Sequence, residues 1–201
     1  MHLCSKEPTN MQDLIDRTIK EVWITRIKDD YQNSYLLLED SLKNTLYHYL
    51  RNALSDKLLL KNNIRIFTEL HNEFNERSDI AIVKLNDNAN HSIKDRIVEV
   101  LAIIELKFKN SSSNIDPFIK DILKTKKYLR RKKYRNCQFY LGFIHETEYE
   151  LEESSWLTLR QQNSWAKGKI TELSGFINED KPVFTIVSYN NLNKDINELL
   201  V

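Results

Sequence analysis

Residues 97–108 constrain the fold more strongly than any other segment of the chain. The segment is an almost continuous apolar run, formed by Ile97, Val98, Val100, Leu101, Ile103 and Ile104. Strands with one solvated face alternate polar and apolar residues, whereas strands that are covered on both faces are almost continuously hydrophobic. The segment therefore predicts a strand at the centre of a sheet, with other elements packed on both of its faces.

Other segments predict the elements that surround this strand. Alternating or β-branched apolar residues predict four more strands, at 64–69, 79–85, 138–144 and 182–189. An apolar stripe at helical spacing predicts a helix over 35–54, and a second helix should begin near Asp116, with Pro117 in its first turn. This order of elements predicts an α/β chain, or an α+β one, with a mixed central sheet flanked by helices.

The two ends of the chain give weaker patterns. Residues 1–20 predict a short helix, and residues 22–27 predict either the end of that helix or a short strand. Residues 146–165 predict a helical or irregular segment, with the acidic run at 146–153 as a solvated helix start. The chain has 201 residues, no internal repeat and no evident linker, which favours a single domain.

Composition excludes several functional classes. The three glycines, Gly142, Gly168 and Gly175, are too far apart for a dinucleotide-binding or P-loop motif. Two cysteines cannot form a Cys-rich zinc site, and the five histidines lack zinc-binding spacing. Lys and Arg number 30 and Asp and Glu 29, so only local charge clusters can indicate partners. No apolar window of about 18 residues predicts a membrane span, and a cytoplasmic location is expected.

One group of charged residues lies on segments that should be buried. Asp79 opens the second predicted strand, and Glu105 and Lys107 belong to the apolar third strand. Side chains alternate between the faces of a strand, so Glu105 and Lys107 should share a face. A hairpin between the two strands would bring Asp79 beside Glu105. Because a buried charge is unfavourable unless it is paired or binds a metal, the pattern predicts a site of two carboxylates and one ammonium group.

These groups suit the hydrolysis of a phosphodiester bond. Carboxylate oxygens bind Mg²⁺, or alternatively Mn²⁺, and such an ion polarises a phosphate and lowers the pKa of a bound water. A nearby lysine, Lys107, can orient that water and stabilise the developing negative charge. The alternative interpretation is structural: Glu105 and Lys107 would be a solvent-facing pair at the end of a strand, and Asp79 a turn residue.

The pattern of Asp79, a hairpin and an E-x-K sequence at 105–107 resembles the PD-(D/E)xK nucleases, which have the restriction-endonuclease-like fold. The resemblance implies an αβββαβ core with a mixed central sheet flanked by helices. That core would cover about residues 35–145, between an N-terminal helical segment, 1–34, and a C-terminal extension, 146–201.

The resemblance also implies roles for particular residues. Asp79 and Glu105 would ligate the metal, and Lys107 would assist the nucleophilic water. Several such families carry a further acid on the first core helix. Glu39 stands at the matching place, with Asp40 beside it.

Some positions extend the pattern and others depart from it. Glu69, on the strand before Asp79, is a candidate accessory acid. The residue before Asp79 is Ser78 and not Pro, and the hairpin between the two acids is long. RecB-like members have Gln-x-x-x-Tyr on the helix after the third strand. Lys124 and Tyr128 have this spacing here, and the lysine in place of glutamine predicts a contact with phosphate.

Residues 124–135 form a basic run with eight Lys or Arg residues, two tyrosines and no acid. Such a run can contact a nucleic-acid backbone with salt-sensitive affinity. The residues predicted to make this contact are Lys124, Lys127, Tyr128 and Arg131. The alternative is that the run only interacts favourably with the dipole at a helix C-terminus and solubilises the surface. Trp156 and Trp165 are expected to be packing residues and not a base-stacking platform.

The sequence thus predicts a metal-dependent nuclease that acts on DNA in preference to RNA. Two alternatives remain open at this point. One is a nuclease-like module that has lost catalysis and binds nucleic acid or a protein partner. The other is a structural or interaction domain whose charged residues form surface pairs. Residues 146–201 could shape specificity or mediate a homodimer.

Overall fold

The computed structural model describes residues 10–71, 76–87, 92–150 and 155–196, which contain a six-stranded sheet in the spatial order β1-β2-β3-β4-β5-β6. The strands are β1 (Ile64–His71), β2 (Arg77–Leu85), β3 (Ile97–Lys109), β4 (Gln138–Glu148), β5 (Ile170–Asn178) and β6 (Lys181–Ser188). The helices are α1 (Met11–Val22), α2 (Lys28–Gln32), α3 (Glu39–Leu54), α4 (Asp56–Lys61), α5 (Asp116–Leu129) and α6 (Leu159–Gln162).

The sheet is antiparallel towards both edges and parallel at its centre. β1, β2 and β3 pair in antiparallel fashion, β3 to β5 pair in parallel, and β6 returns antiparallel to β5. α5 connects β3 to β4, since parallel strands need a long crossover connection. β3 is buried from Val100 to Leu106. The predicted central strand with two covered faces is therefore confirmed.

Helices pack on both faces of the sheet and create two apolar clusters. Leu46 of α3 and Ile104 of β3 belong to the cluster on one face. Phe118 and Ile122 of α5 belong to the other cluster, with Ile103 of β3. The neighbouring residues 103 and 104 therefore serve different cores, as the alternation of side chains along a strand requires. The predicted α/β arrangement of a mixed sheet flanked by helices is confirmed.

The structure corrects one helical prediction and confirms another. α3 begins at Glu39 and not at residue 35, because the Ser41 hydroxyl accepts hydrogen bonds from the N–H groups of Leu37 and Leu38 and caps the helix there. The Trp23–Ile27 segment continues α1 as a π-helical turn that leads into α2, so the helical alternative for this region is confirmed. The start of the predicted helix over residues 1–20 lies outside the described residues. None of the helices in the described ranges is both long and apolar enough to cross a membrane.

The C-terminal region differs most from expectation. The acidic run was expected to start a helix, but its first residues continue β4 up to Glu148, which pairs with Ile177 of β5. Residues 151–154 of that run lie outside the described part of the chain. β5 itself was not predicted from the sequence, because its Glu172 and Ser174 are polar yet buried and conceal the strand pattern. β5 and β6 extend the same sheet that holds the predicted core strands.

A buried polar cluster joins α1 to the sheet and to the C-terminal segment. Asp16 and Lys20 form an ion pair at 2.9 Å, and both side chains are fully buried. The Tyr140 hydroxyl of β4 donates to Asp16 at 2.8 Å, and Asn190 and Asn193 donate to the same carboxylate at 3.3 and 3.0 Å. This network attaches the chain after β6 to the first helix.

A second buried acid, Glu172 of β5, fixes the segment that follows β4. Its carboxylate accepts hydrogen bonds from the N–H groups of Trp156 and Leu157 at 2.9 and 3.2 Å. The hydroxyls of Ser155 and Tyr189 donate to it at 3.1 Å each. Burial raises the pKa of Glu172 to about 7, although these donors favour the charged form and oppose the rise.

This raised pKa predicts a pH dependence of stability. Between its ordinary pKa of 4.5 and about 7, the folded protein holds a proton at Glu172 that the unfolded chain has released. The free energy of unfolding should therefore fall as the pH rises through this window, by on the order of 3 kcal/mol, and should not change further because of this group at higher pH. Urea unfolding of wild type and Glu172→Gln at several pH values checks this. Parallel curves for the two proteins would show that Glu172 does not titrate in this window.

Candidate active site

The pairing of β2 with β3 brings the predicted acids together. The antiparallel ladder ends at Ile80 and Ile104, and continuing its register by one residue puts Asp79 opposite Glu105. Asp79 Oδ2 also accepts a hydrogen bond from the Leu106 N–H at 2.7 Å. The side chain of Asp79 is therefore held against the end of β3.

Glu105 is fully buried under α5. Its Oε2 accepts a hydrogen bond from Lys124 Nζ at 2.5 Å, and the same ammonium group donates to the Arg77 carbonyl at 2.7 Å. The second carboxylate oxygen, Oε1, is buried and has no hydrogen-bond partner in the described structure. A buried carboxylate oxygen without a partner is unfavourable, so this atom is a candidate ligand for a cation.

Lys107 lies on the same face of β3 as Glu105 and is surrounded by acids. Its Nζ lies 3.0 Å from Glu39 Oε1 of α3 and 3.0 Å from Asp121 Oδ2 of α5. It also donates to the carbonyl of Leu106 at 3.0 Å. Two helices on opposite sides of the sheet thus position one ammonium group at the end of β3.

Asp121 is a member of the site that sequence reasoning missed. It lies three residues before Lys124 on α5, at 3.8 Å from that ammonium group, and is largely buried. The signal was present in the sequence, because position 121 falls on the apolar face that Phe118, Thr125 and Tyr128 also share. An acid on the buried face of an amphipathic helix indicates a partner in the interior.

We call the six charged residues that gather at this end of β3 the acid–lysine cluster. Its members are Glu39, Asp79, Glu105, Lys107, Asp121 and Lys124. Four carboxyl groups and two ammonium groups would give a net charge of −2 if all were ionised. An excess of negative charge in a partly buried site is the electrostatic condition that favours binding of a divalent cation.

Burial and mutual repulsion act on the acids of the cluster. Burial raises the pKa of Glu105 well above its usual range, and Lys124 offsets this only in part. Burial also raises the pKa of Asp79, against the Leu106 N–H bond, and that of Asp121, against the nearby lysines. Burial therefore disfavours the charged forms of these three acids.

For Lys107, in contrast, the surroundings favour the charged form. Burial alone would lower its pKa, but the adjacent carboxylates of Asp121 and Glu39 outweigh burial and raise the pKa above the ordinary lysine value. Lys107 is therefore a permanent cation at neutral pH. It can donate hydrogen bonds and stabilise negative charge, but it is not suited to remove a proton.

The other predicted residues lie outside the cluster. Lys127 pairs with Glu76 at 3.1 Å, and Arg131 is exposed after the end of α5. Tyr128 is only 1% exposed, and burial raises the pKa of its hydroxyl. This placement favours a packing role for Tyr128 over the predicted contact with nucleic acid. Lys124, predicted to contact phosphate, instead holds Glu105 in the described structure.

The two secondary acids are also engaged elsewhere. Glu69 pairs with Lys43 at 2.5 Å and with Arg77 at 3.0 Å. Asp40, beside Glu39, pairs with the same Lys43 at 2.9 Å and is exposed. Both acids thus pair with cations outside the acid–lysine cluster, and these pairs do not support the interpretation of Glu69 as an accessory acid.

The cluster contains oxygen donors of the kind that a divalent ion such as Mg²⁺ prefers. Within the described ranges, no group of three or more His, Cys, Asp or Glu side chains is already arranged to hold a metal. Mg²⁺, however, usually takes only one or two protein carboxylates and completes its shell with water and substrate phosphate. Asp79, and Glu105 with its unpartnered Oε1, are the two carboxylates that could hold such an ion. Comparison with family models, curated proteins and solved structures finds no match for this chain.

Proposed function

We propose that this protein is a metal-dependent nuclease that hydrolyses phosphodiester bonds, in DNA more readily than in RNA. The observation that carries the proposal is the position of Asp79 opposite Glu105, with Lys107 on the same face of β3 two residues further along. The pair of adjacent carboxylates and the nearby cation match the chemistry that phosphodiester hydrolysis requires.

The order of elements is a second support for a restriction-endonuclease-like core. α3, β1, β2, β3, α5 and β4 follow one another as αβββαβ, with the short helix α4 between α3 and β1. The acid–lysine cluster lies where α3 and α5 approach the end of β3 from opposite faces of the sheet. This is the order of elements that the resemblance to PD-(D/E)xK nucleases implies.

Each residue has a defined task in the proposed reaction. Asp79 and Glu105 would hold Mg²⁺, or alternatively Mn²⁺, and the bound ion would polarise the phosphate and acidify a water. Lys107 would orient the attacking water and stabilise the negative charge that develops on the phosphate. Glu39 and Asp121 act through Lys107, because their carboxylates fix its ammonium group.

A cleavage assay tests this proposal. Purified protein should nick or linearise supercoiled plasmid when Mg²⁺ or Mn²⁺ is present and should be inactive in EDTA. Linear duplex DNA and RNA in parallel reactions define the substrate class and the mode of cleavage. Wild-type protein that is inert towards DNA and RNA with either metal would contradict the proposal.

One observation favours a second candidate, a nuclease-like module that binds nucleic acid or a protein without cleaving it. Glu105 is already paired with Lys124, and Lys107 is already paired with two carboxylates. In these ion pairs the acids and lysines of the cluster neutralise one another without a metal, which would stabilise a non-catalytic site. This candidate predicts binding that is independent of metal and no cleavage, so the EDTA comparison separates it from the first.

A further inference from the structure

A wide cleft lies at the C-terminal end of α5, apart from the acid–lysine cluster. Its volume is about 690 Å³. Three stretches of chain line it: the last turn of α5, the 3₁₀ turn Lys132–Tyr134 that follows, and the segment before β5. The lining residues are Lys126, Leu129, Arg130, Arg131, Lys132, Tyr134, Arg135, Trp165 and Lys169.

The charged residues described as lining this cleft, which we call the basic cleft, are all positive. Six of its lining residues are Lys or Arg, and none of the described residues that line it is acidic. No carboxylate in the described ranges lies within ion-pair distance of Lys126, Arg130 or Arg135. A favourable interaction with the helix dipole can explain why cations occur in the last turn of α5, but not why they occur elsewhere in the cleft. Lys169 comes from a distant part of the sequence and extends the positive surface beyond that turn.

An aromatic ring accompanies these cations. Trp165 is half-buried, packs partly against the apolar cluster beneath it and also lines the cleft. Lys126 Nζ lies 6.0 Å from the centre of its ring. Trp165 was expected to be a packing residue only. Its position among lysine and arginine side chains also leaves its ring available to contact a ligand in the cleft. A positive groove with an aromatic ring is the arrangement that binds single-stranded nucleic acids, since cations contact the backbone and bases stack on the ring.

The positive surface continues towards the cluster. A second cavity, of about 390 Å³, shares Arg130 and Arg131 with the basic cleft and reaches Lys127 and Glu76. Lys127 lies three residues after Lys124, which contacts Glu105. Residues three apart on a helix are neighbours on its surface. A strand that occupies the cleft could therefore follow the end of α5 in the direction of the proposed metal site.

We propose that the basic cleft binds a single-stranded segment of nucleic acid, with phosphates at its Lys and Arg side chains and one base against Trp165. The inference goes beyond the proposed hydrolysis and does not depend on it, because binding in the cleft needs neither the carboxylates nor a metal. The two proposals can therefore fail separately: binding in EDTA tests the cleft, and metal-dependent cleavage tests the cluster.

The test is fluorescence anisotropy with a short labelled oligothymidylate in EDTA, repeated over a range of salt concentrations. Arg130→Ala/Arg135→Ala should weaken binding about tenfold and reduce the slope of log K against log salt by about 1.4, since each phosphate neutralised on a single strand contributes about 0.7. Lys57→Ala/Lys61→Ala on α4, which removes two exposed cations that do not line the cleft, is the matched control and should bind like wild type.

Trp165 is tested separately because it also packs against the core. Trp165→Leu, which keeps an apolar side chain without a ring, should weaken binding about tenfold, and Trp165→Phe should restore most of the loss. A purely structural role would not depend on an aromatic ring in this way. Binding that is unchanged in the Arg130/Arg135 variant would overturn the proposal. Equal affinity for a polyglutamate peptide of matched charge would also overturn it and would indicate an acidic protein partner.

Discussion

Lys107→Ala is expected to reduce Mg²⁺-dependent cleavage of plasmid DNA by at least about 100-fold while the protein stays folded. Removal of one group that stabilises developing negative charge typically lowers a rate by about 10²–10³. Lys107 has this role in the proposed site because its ammonium group is a permanent cation fixed by Glu39 and Asp121. Initial rates of plasmid nicking at saturating metal measure the effect.

Lys109→Ala is the matched control for this experiment. Lys109 lies two residues further along β3, on the same face as Lys107 but outside the acid–lysine cluster. Its removal should leave cleavage near the wild-type rate. Lys107→Met, which keeps the apolar stem of the side chain, separates loss of the charge from loss of packing. Cleavage by both Lys107 variants at the wild-type rate, with unchanged circular dichroism, would contradict the assignment.

Asp16→Ala is expected to lower the free energy of unfolding by about 3–5 kcal/mol. The substitution leaves the fully buried ammonium group of Lys20 without its counterion, and such a change is strongly destabilising. The Tyr140 hydroxyl and the side-chain amide of Asn193 also lose an acceptor. Burial already lowers the pKa of Lys20, against the attraction of Asp16. Urea denaturation at neutral pH measures the loss.

The control for this second prediction is Asp40→Ala. Asp40 also pairs with a lysine, Lys43, but its side chain is 82% exposed. Exposed pairs contribute little because water screens them, so the variant should unfold like wild type. A loss of less than about 1 kcal/mol for Asp16→Ala would show that the buried network does not stabilise the fold as its burial implies.

The sequence was sufficient for the parts of the fold that depend on one regular pattern. The apolar run of β3 identified the central strand, and side-chain alternation placed Glu105 and Lys107 on one face. The Asn-rich loop suggested that β2 and β3 pair as a hairpin. Continuing the register of that pairing puts Asp79 opposite Glu105. Residues 88–91 of that loop lie outside the described part of the chain.

The sequence was insufficient where a polar residue is buried by tertiary contacts. β5 was missed because Glu172 interrupts its apolar pattern. The N–H groups that hydrogen-bond to Glu172 belong to the connection between β4 and β5, which no sequence pattern places against the strand. Asp121 was missed because an acid on a helix is usually solvated, and its burial is explained by the nearby ammonium groups of Lys107 and Lys124. Tyr128 was predicted to contact nucleic acid, yet its side chain is buried and packs in the core.

Calorimetric titration with Mn²⁺ measures most directly whether Asp79 and Glu105 hold a divalent ion beside Lys107. Wild type is expected to show saturable binding of about one ion per chain. Asp79→Asn/Glu105→Gln should abolish that binding, and Lys109→Ala should leave it unchanged. Binding that persists in the double variant, or its absence in wild type even with an oligonucleotide present, would contradict the account.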